Sequence, residues 1–459
     1  MLMFGKQWGI TLLIIVGLSF DGFSGDQTLT DRFDPEVQPF AFMISHMKGV
    51  KGVPGTGLRA EECGTCHTHI YEEWKTSTHA TALQDIQFQG ELSKEDSPKW
   101  LCLNCHIPLQ DQRAYRVTAL KDGDVLKPVQ LENPHFDAKL QGESITCAVC
   151  HVRPDPDSGE SVIIGSFASE FAPHPIRRDP QFVRNICARC HNPKGDALTR
   201  NLVCWFHTVE ELADASEKGL TTQDCVGCHM PEQERRTVPA YVHLPLRKGH
   251  RHLWTGSGIP KWFAGYDTLL ERGYQSGLGV SVDAGNRDGS KATITLSNEK
   301  AGHWLPTGDP ERFILVLARQ LNKRGEVLHE TQTRIGQEWL WSPARKVGDT
   351  RLKSGETRLW KPQLKALGRK AHRLVVTAIH VRLSTKNAAY LMRSGPIRED
   401  YLPNGNHLVK NANEHYPFAS YIYREEIDLK TGMRVVASPD ELIALSKKER
   451  HKPLKDRDY

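Results

Sequence analysis

The sequence predicts an α+β chain: a mostly α-helical and irregular domain over about residues 40–275, then a β-sandwich-like domain over 277–428. Two observations carry this. Five Cys-x-x-Cys-His elements recur through the first part, beginning at residues 63, 102, 147, 187 and 225. From Gly277 onward these elements stop, and runs that alternate polar and apolar residues take over. A near-constant period of about 40 residues marks a loose repeat, one motif per unit. Alternation with period two marks strands with one buried face.

In chain order, "MLMFGKQWGITLLIIVGLSFDGFSGDQ" opens with one early cation, Lys6, and an apolar run from Trp8 to Phe20. The run is shorter than the roughly 20 residues that span a bilayer. It reads as a secretory signal peptide over residues 1–25, with an uncleaved anchor as the alternative. The remaining chain is expected in the periplasm or outside the cell.

The net charge is only +5, from 60 Lys and Arg against 55 Asp and Glu, which argues against nucleic acid as a partner. The cysteines are more informative. Ten of the 11 fall in the five motifs: Cys63 and Cys66 before His67, Cys102 and Cys105 before His106, Cys147 and Cys150 before His151, Cys187 and Cys190 before His191, and Cys225 and Cys228 before His229. Disulfides leave the following histidine unexplained. Zinc sites use two Cys-x-x-Cys pairs per ion, so five pairs leave one without a partner. Covalent haem explains every position. Thiols three apart on one helical turn project to the same side. They add across the two vinyl groups of one porphyrin, and the next residue supplies the proximal imidazole. The sequence therefore predicts five covalently attached haem c groups.

Proline follows closely at Pro108, Pro154, Pro193 and Pro231 and is expected to end each motif helix. A longer helix is predicted before the fifth motif, with Thr208 and Glu211 at capping-box spacing and Gly219 as its C-terminal cap. "KATITLSN", "RFILVLARQLN", "GEVLHETQTRIG" and "HRLVVTAIHVRL" read as strands, with the turn "NKRG" between the second and third. Residues 429–459 carry a basic cluster and read as a solvated tail.

Each haem iron has a second axial position. Filled by histidine, it leaves an electron carrier; left open, it admits small molecules. Sixteen of the 21 histidines lie outside the motifs. The expected distal ligands are His79, His252, His174 and His303, with His250 competing with His252, and His46 and His135 as weaker candidates. Cys204 has no partner three residues away and reads as a buried small residue.

"CGTCHTHIYEEWKTSTHA" resembles the opening C-x-x-C-H-x-x-x-Y-x-x-W-x-x-S-x-H-A of a family of multihaem cytochromes. That family includes the tetrahaem electron acceptor of hydroxylamine oxidoreductase. "VCWFHTVEELADASEKGLTTQDCVGCHMP" is similar to the segment before the family's last motif, "HRHLWTG" to its H-x-F-x-G element, and "AGHWLPTGDPER" to a G-H-x-x-P-T-G loop of members with a C-terminal β-domain. The resemblance spans about residues 60–310. It implies distal ligation by His79 and His252, and electron transfer outside the cytoplasm. The chain departs from it in having five motifs rather than four, and in Trp254 where Phe is common.

The expected function is electron transfer through bis-histidine haems, with donor and acceptor cytochromes or a membrane quinol-linked complex as redox partners. Two alternatives stand beside it. One is an oxidoreductase with one open iron, acting on a small nitrogen or sulfur compound; Cys-x-x-Cys-Lys, the variant of some nitrite reductases, is absent. The other is self-assembly as a subunit of a haem filament.

Overall fold

The computed structural model describes residues 26–28, 43–286 and 289–459, with backbone alone for 26–28 and 194–198. The expected signal peptide lies outside the described residues. Among the described residues, no helix is long and apolar enough to cross a membrane.

The first part is built from short helices: α1 (Ala60–Gly64), α2 (Thr68–Lys75), α3 (Ile86–Leu92), α4 (Lys99–His106), α5 (Cys147–His151), α6 (Ala188–His191), α7 (Thr208–Glu217) and α8 (Cys225–His229). Helices α4, α5, α6 and α8 each end on their motif histidine, two or three positions before the next proline. Small two- and three-stranded sheets fill the spaces between them. Apolar contacts form separate small clusters. One joins Ile44, Met47, Leu109 and Val149; another joins Leu83, Phe88, Leu103 and Ile107.

Helix α2, which follows His67, stops at Lys75, so His79 lies beyond its end. Ser77 N–H bonds back to Trp74 O (2.8 Å), and the chain turns before it reaches His79. The capping box expected for α7 is also absent. Thr208 Oγ1 bonds Thr307 Oγ1 (2.9 Å), and Glu211 is buried in long-range bonds. Gly219 does end the helix, at φ +69°, with Leu220 N–H bonding back to Ala215 O.

The second part holds two antiparallel sheets. One joins β1 (Gly279–Asp283), β2 (Thr293–Ser297) and β6 (Thr357–Trp360). The other has the order β5-β4-β3-β7-β8-β9, from β3 (Phe313–Leu321), β4 (Val327–Trp341), β5 (Ala344–Asp349), β7 (Arg373–Val381), β8 (Ala419–Asp428) and β9 (Arg434–Val436). Strand β3 explains why both faces are covered. Ile314, Val316 and Ala318 pack with Ile294 and Leu296 of the smaller sheet. The alternate residues Phe313, Leu315 and Leu317 pack with Ala388 and Leu391 of α9 (Thr385–Leu391) and Val409 of α10 (Gly405–Lys410). The sandwich thus gains a helical layer on its outer face. "NKRG" forms the β3–β4 turn, where Gly325 takes φ +86°.

The segment expected as a basic tail is folded. Strand β9 extends the large sheet, and α11 (Pro439–Lys448) packs on β8. Ser438 caps α11, accepting from Glu441 N–H while the Glu441 carboxylate bonds back, and Tyr459 is buried in the helical layer. The lysines lie on the outer side of an amphipathic segment, so counting charge concealed its apolar face.

Candidate haem-binding centres

The motif histidines share a local arrangement. His67 Nδ1 bonds Thr237 O (3.0 Å), His106 Nδ1 bonds Ala82 O (2.7 Å), His151 Nδ1 bonds Ile164 O (2.8 Å), and His229 Nδ1 bonds Thr255 O (3.0 Å). A carbonyl only accepts, so each ring carries its proton on Nδ1 and leaves the Nε2 lone pair free. That is the tautomer and orientation a metal-bound imidazole needs.

Three motif imidazoles face a second imidazole from far along the chain. Ring centroids lie 6.1 Å apart for His191 and His79, 6.4 Å for His151 and His252, and 6.3 Å for His229 and His303. Metal–imidazole bonds run to about 2 Å and the ring centre lies about 1 Å behind the bonding nitrogen, so imidazoles on opposite sides of one ion have centroids about 6 Å apart. The distance alone does not make a centre: His407 and His415 also stand 6.4 Å apart, and neither follows a Cys-x-x-Cys.

The second members of these pairs are built in the same way. His252 Nδ1 bonds His250 O (2.9 Å) and His303 Nδ1 bonds Trp304 O (3.0 Å). Burial lowers His79 and His252 to about 3 and also lowers His303, which keeps all three neutral and able to ligate. His174 lies within electrostatic reach of His67, and its Nδ1 is buried without a partner. His250 bonds Met230 O from a strand paired with residues 232–235. His46 and His135 stack on each other at 3.7 Å, with His46 on Asp111, and face no motif imidazole.

Neighbouring side chains hold the distal histidines. Glu73 bonds Arg235 (2.8 Å) and accepts from His252 N–H (2.9 Å). Burial would raise its carboxyl, but the Arg235 bond holds it below the usual range. Trp254, at φ +43°, sits edge-on to His79 (4.6 Å) and His252 (5.2 Å). The loop carrying His303 is fixed by Glu211, which accepts from Trp304 N–H (3.2 Å), Thr307 Oγ1 (2.6 Å) and Arg351 Nη1 (2.6 Å).

The attachment cysteines interlock. Cysteines of different motifs perturb one another's thiols: Cys147 acts on Cys63, Cys225 on Cys187 and Cys105 on Cys190, and Cys150 lies within electrostatic reach of Cys190. All five motifs thus form one contiguous group. Cys204 packs beside Trp100 and Leu120, within electrostatic reach of Cys102.

Residues 62–152 match the family model described as cytochrome c554 and c-prime. They include the first three motifs. No curated protein matches the chain. A solved penta-heme cytochrome c552 from Thermochromatium tepidum shares the fold, with TM-score 0.52 and 16% identity over 81% of this chain and 98% of that one. These findings support a multihaem c-type cytochrome.

The cytochrome's residues fit covalent haem: each motif offers two thiols and an imidazole, four of these rings bond a carbonyl through Nδ1 and leave Nε2 free, and three face a second imidazole. Haem held there supplies a one-electron iron couple. The chain supplies attachment, axial nitrogen and low-dielectric surroundings. Sequence reasoning missed the roles of Glu211 and Glu73 and the carbonyl acceptors of His67, His106 and His229, because each acts across more than 20 residues.

Proposed function

We propose that this chain is an exported pentahaem c-type cytochrome that passes electrons between redox proteins outside the cytoplasm. Four of its irons are capped by histidine on both sides: His67 with His174, His151 with His252, His191 with His79, and His229 with His303. The observation that carries this reading is the set of three imidazole pairs at 6.1–6.4 Å, each joining a motif histidine to a distant one. The contiguous attachment cysteines support close haem spacing, which electron transfer requires.

Electron paramagnetic resonance of the oxidised cytochrome tests the reading. Four low-spin haems per chain are expected. Two or more high-spin haems refute it.

A second reading is favoured by one further observation. Among the described residues, no imidazole stands at the trans spacing from His67 or His106; His174 lies within electrostatic reach of His67, and the groups acting most strongly on His106 include no histidine from outside the motifs. The second haem is then the open one, and the cytochrome also binds a small molecule at that iron.

A further inference from the structure

A cavity of about 250 Å³ lies where the two parts of the chain meet. Its walls come from three places. Lys99 and Trp100 belong to α4, Arg113 and Tyr115 to the start of the strand Tyr115–Lys121, and Arg398 and Tyr401 to the loop between α9 and α10. No cysteine and no histidine lines it, so it lies outside the haem centres. Helix α4 therefore carries a cavity wall as well as the second attachment site, with different side chains for each.

The lining is unbalanced in charge. It holds three cations and no aspartate or glutamate. Arg398 is answered by Asp400, through Nε at 3.0 Å and through Nη2. Arg113 is not answered in this way. It is 5% exposed, and its Nε donates to Ile107 O (3.2 Å) and its Nη2 to Asn104 Oδ1 (2.8 Å), both neutral acceptors. These bonds hold the guanidinium in place. Its Nη1 has no partner among the described residues, yet it is not sealed off, which leaves it open to the cavity that Arg113 lines. Burial lowers the guanidinium to about 10, so it stays charged at neutral pH. A buried cation answered only by neutral groups is costly until an anion reaches it. Lys99 adds a second cation at an exposed position.

The rest of the wall is flat and apolar. Trp100 is buried and held by its Nε1 on Val125 O (2.9 Å). Tyr401 is buried under Arg398, whose guanidinium lies 4.1 Å from the ring centre. Tyr115 is 51% exposed and, with Lys99, marks the entrance. The volume falls below the roughly 300–1,000 Å³ of pockets for drug-sized ligands, so the occupant is small. An inorganic ion would leave the three rings without contact. A neutral ring would leave Arg113 unanswered.

We infer that this cavity binds a small aromatic carboxylate, with its carboxylate on Arg113 Nη1 and its ring against the aromatic side chains. The site uses no iron, so it stands whether or not the second haem is capped. Its ligand touches α4 and the loop between α9 and α10 together, and so ties the haem-bearing part to the β-sandwich part.

The test uses the full haem-loaded cytochrome, titrated with benzoate by calorimetry. Benzamide, which lacks the charge, and inorganic phosphate, which lacks the ring, are the controls. Expected is one saturable benzoate site per chain, with each control bound about tenfold more weakly or worse. Arg113→Gln should weaken benzoate about ten- to a hundredfold, the worth of one hydrogen bond to a charged group. Lys99→Gln, at an exposed position, should weaken it only about two- to fivefold. Ala114 also lines the cavity and gives a variant independent of charge. Ala114→Phe fills the space and should abolish binding while haem content stays that of the parent.

The inference is overturned if benzoate gives no saturable heat, if phosphate or benzamide binds as tightly as benzoate, or if Arg113→Gln or Ala114→Phe binds benzoate as the parent does. A missing benzoate site together with a shifted haem potential in Arg113→Gln assigns that guanidinium to a haem propionate and removes the pocket.

Discussion

Glu211→Ala separates a positioning role from simple packing. Glu211 is 4% exposed and ties three elements together: α7, the loop of residues 303–307, and Arg351. Removing one partner of a buried ion pair costs about 3–5 kcal/mol. Asp349 still pairs Arg351, through Nη2 at 2.9 Å, so the lower end applies. About 3 kcal/mol corresponds to a shift of roughly a hundredfold between closed and open loop. The loop carries His303, which is proposed to cap the fifth haem. Resonance spectra of the oxidised variant should therefore show one more high-spin haem than the parent. Glu211→Gln keeps an acceptor for Trp304 and Thr307, and should cost only about 1 kcal/mol and keep the parent spin count. If Glu211→Ala keeps the parent spin count while its unfolding midpoint falls, Glu211 is structural only, and its proposed hold on His303 is wrong.

The remaining predictions are more direct. Pyridine haemochrome assay of the purified protein should return five haems per chain, and Cys102→Ser with Cys105→Ser should return four. Trp254→Ala should move the potentials of two haems together in a redox titration, since Trp254 touches both His79 and His252; movement of a single potential refutes that placement. Asp85 titrates near 2: burial would raise it, but Lys261 and Arg382 lower it further. Its folded value lies below the ordinary 3.8, so its stabilisation is full above that pH and is lost as pH falls towards 2. Asp85→Asn should flatten the acid limb of the stability curve between those values. Gly219→Ala should cost about 1–2 kcal/mol in denaturant, because nothing lies within 4 Å of the added methyl and only the φ of +69° resists it.

Much of the fold was readable where its cause is local. Strands β2, β3 and β7 lie within the segments the alternation picked out, β4 begins in its segment and runs on past it to Trp341, and the "NKRG" turn sits between β3 and β4. Strands β5 and β6 were not readable. Their exposed apolar residues, Val347 and Leu359, do not follow the alternation that marks a half-buried face. Glu211 was misread for a related reason. Its spacing from Thr208 suits a capping box, but a buried arginine 140 residues away competes for the carboxylate and wins. Local spacing shows what a side chain can reach within its own helix, and says nothing of what the fold brings to it.

The same distinction divides each haem centre in two. Attachment needs two thiols and an imidazole within five residues, so every proximal half is written locally as Cys-x-x-Cys-His. The distal half needs only one imidazole, from anywhere the fold places it. His79 stands twelve residues after His67 yet faces His191, and His303 faces His229 from the edge of the β-sandwich. Capping is therefore a consequence of tertiary structure. At His106 it brings Lys261 and Asp85, with Arg312, Arg382 and His380 beyond them, from segments carrying no haem motif.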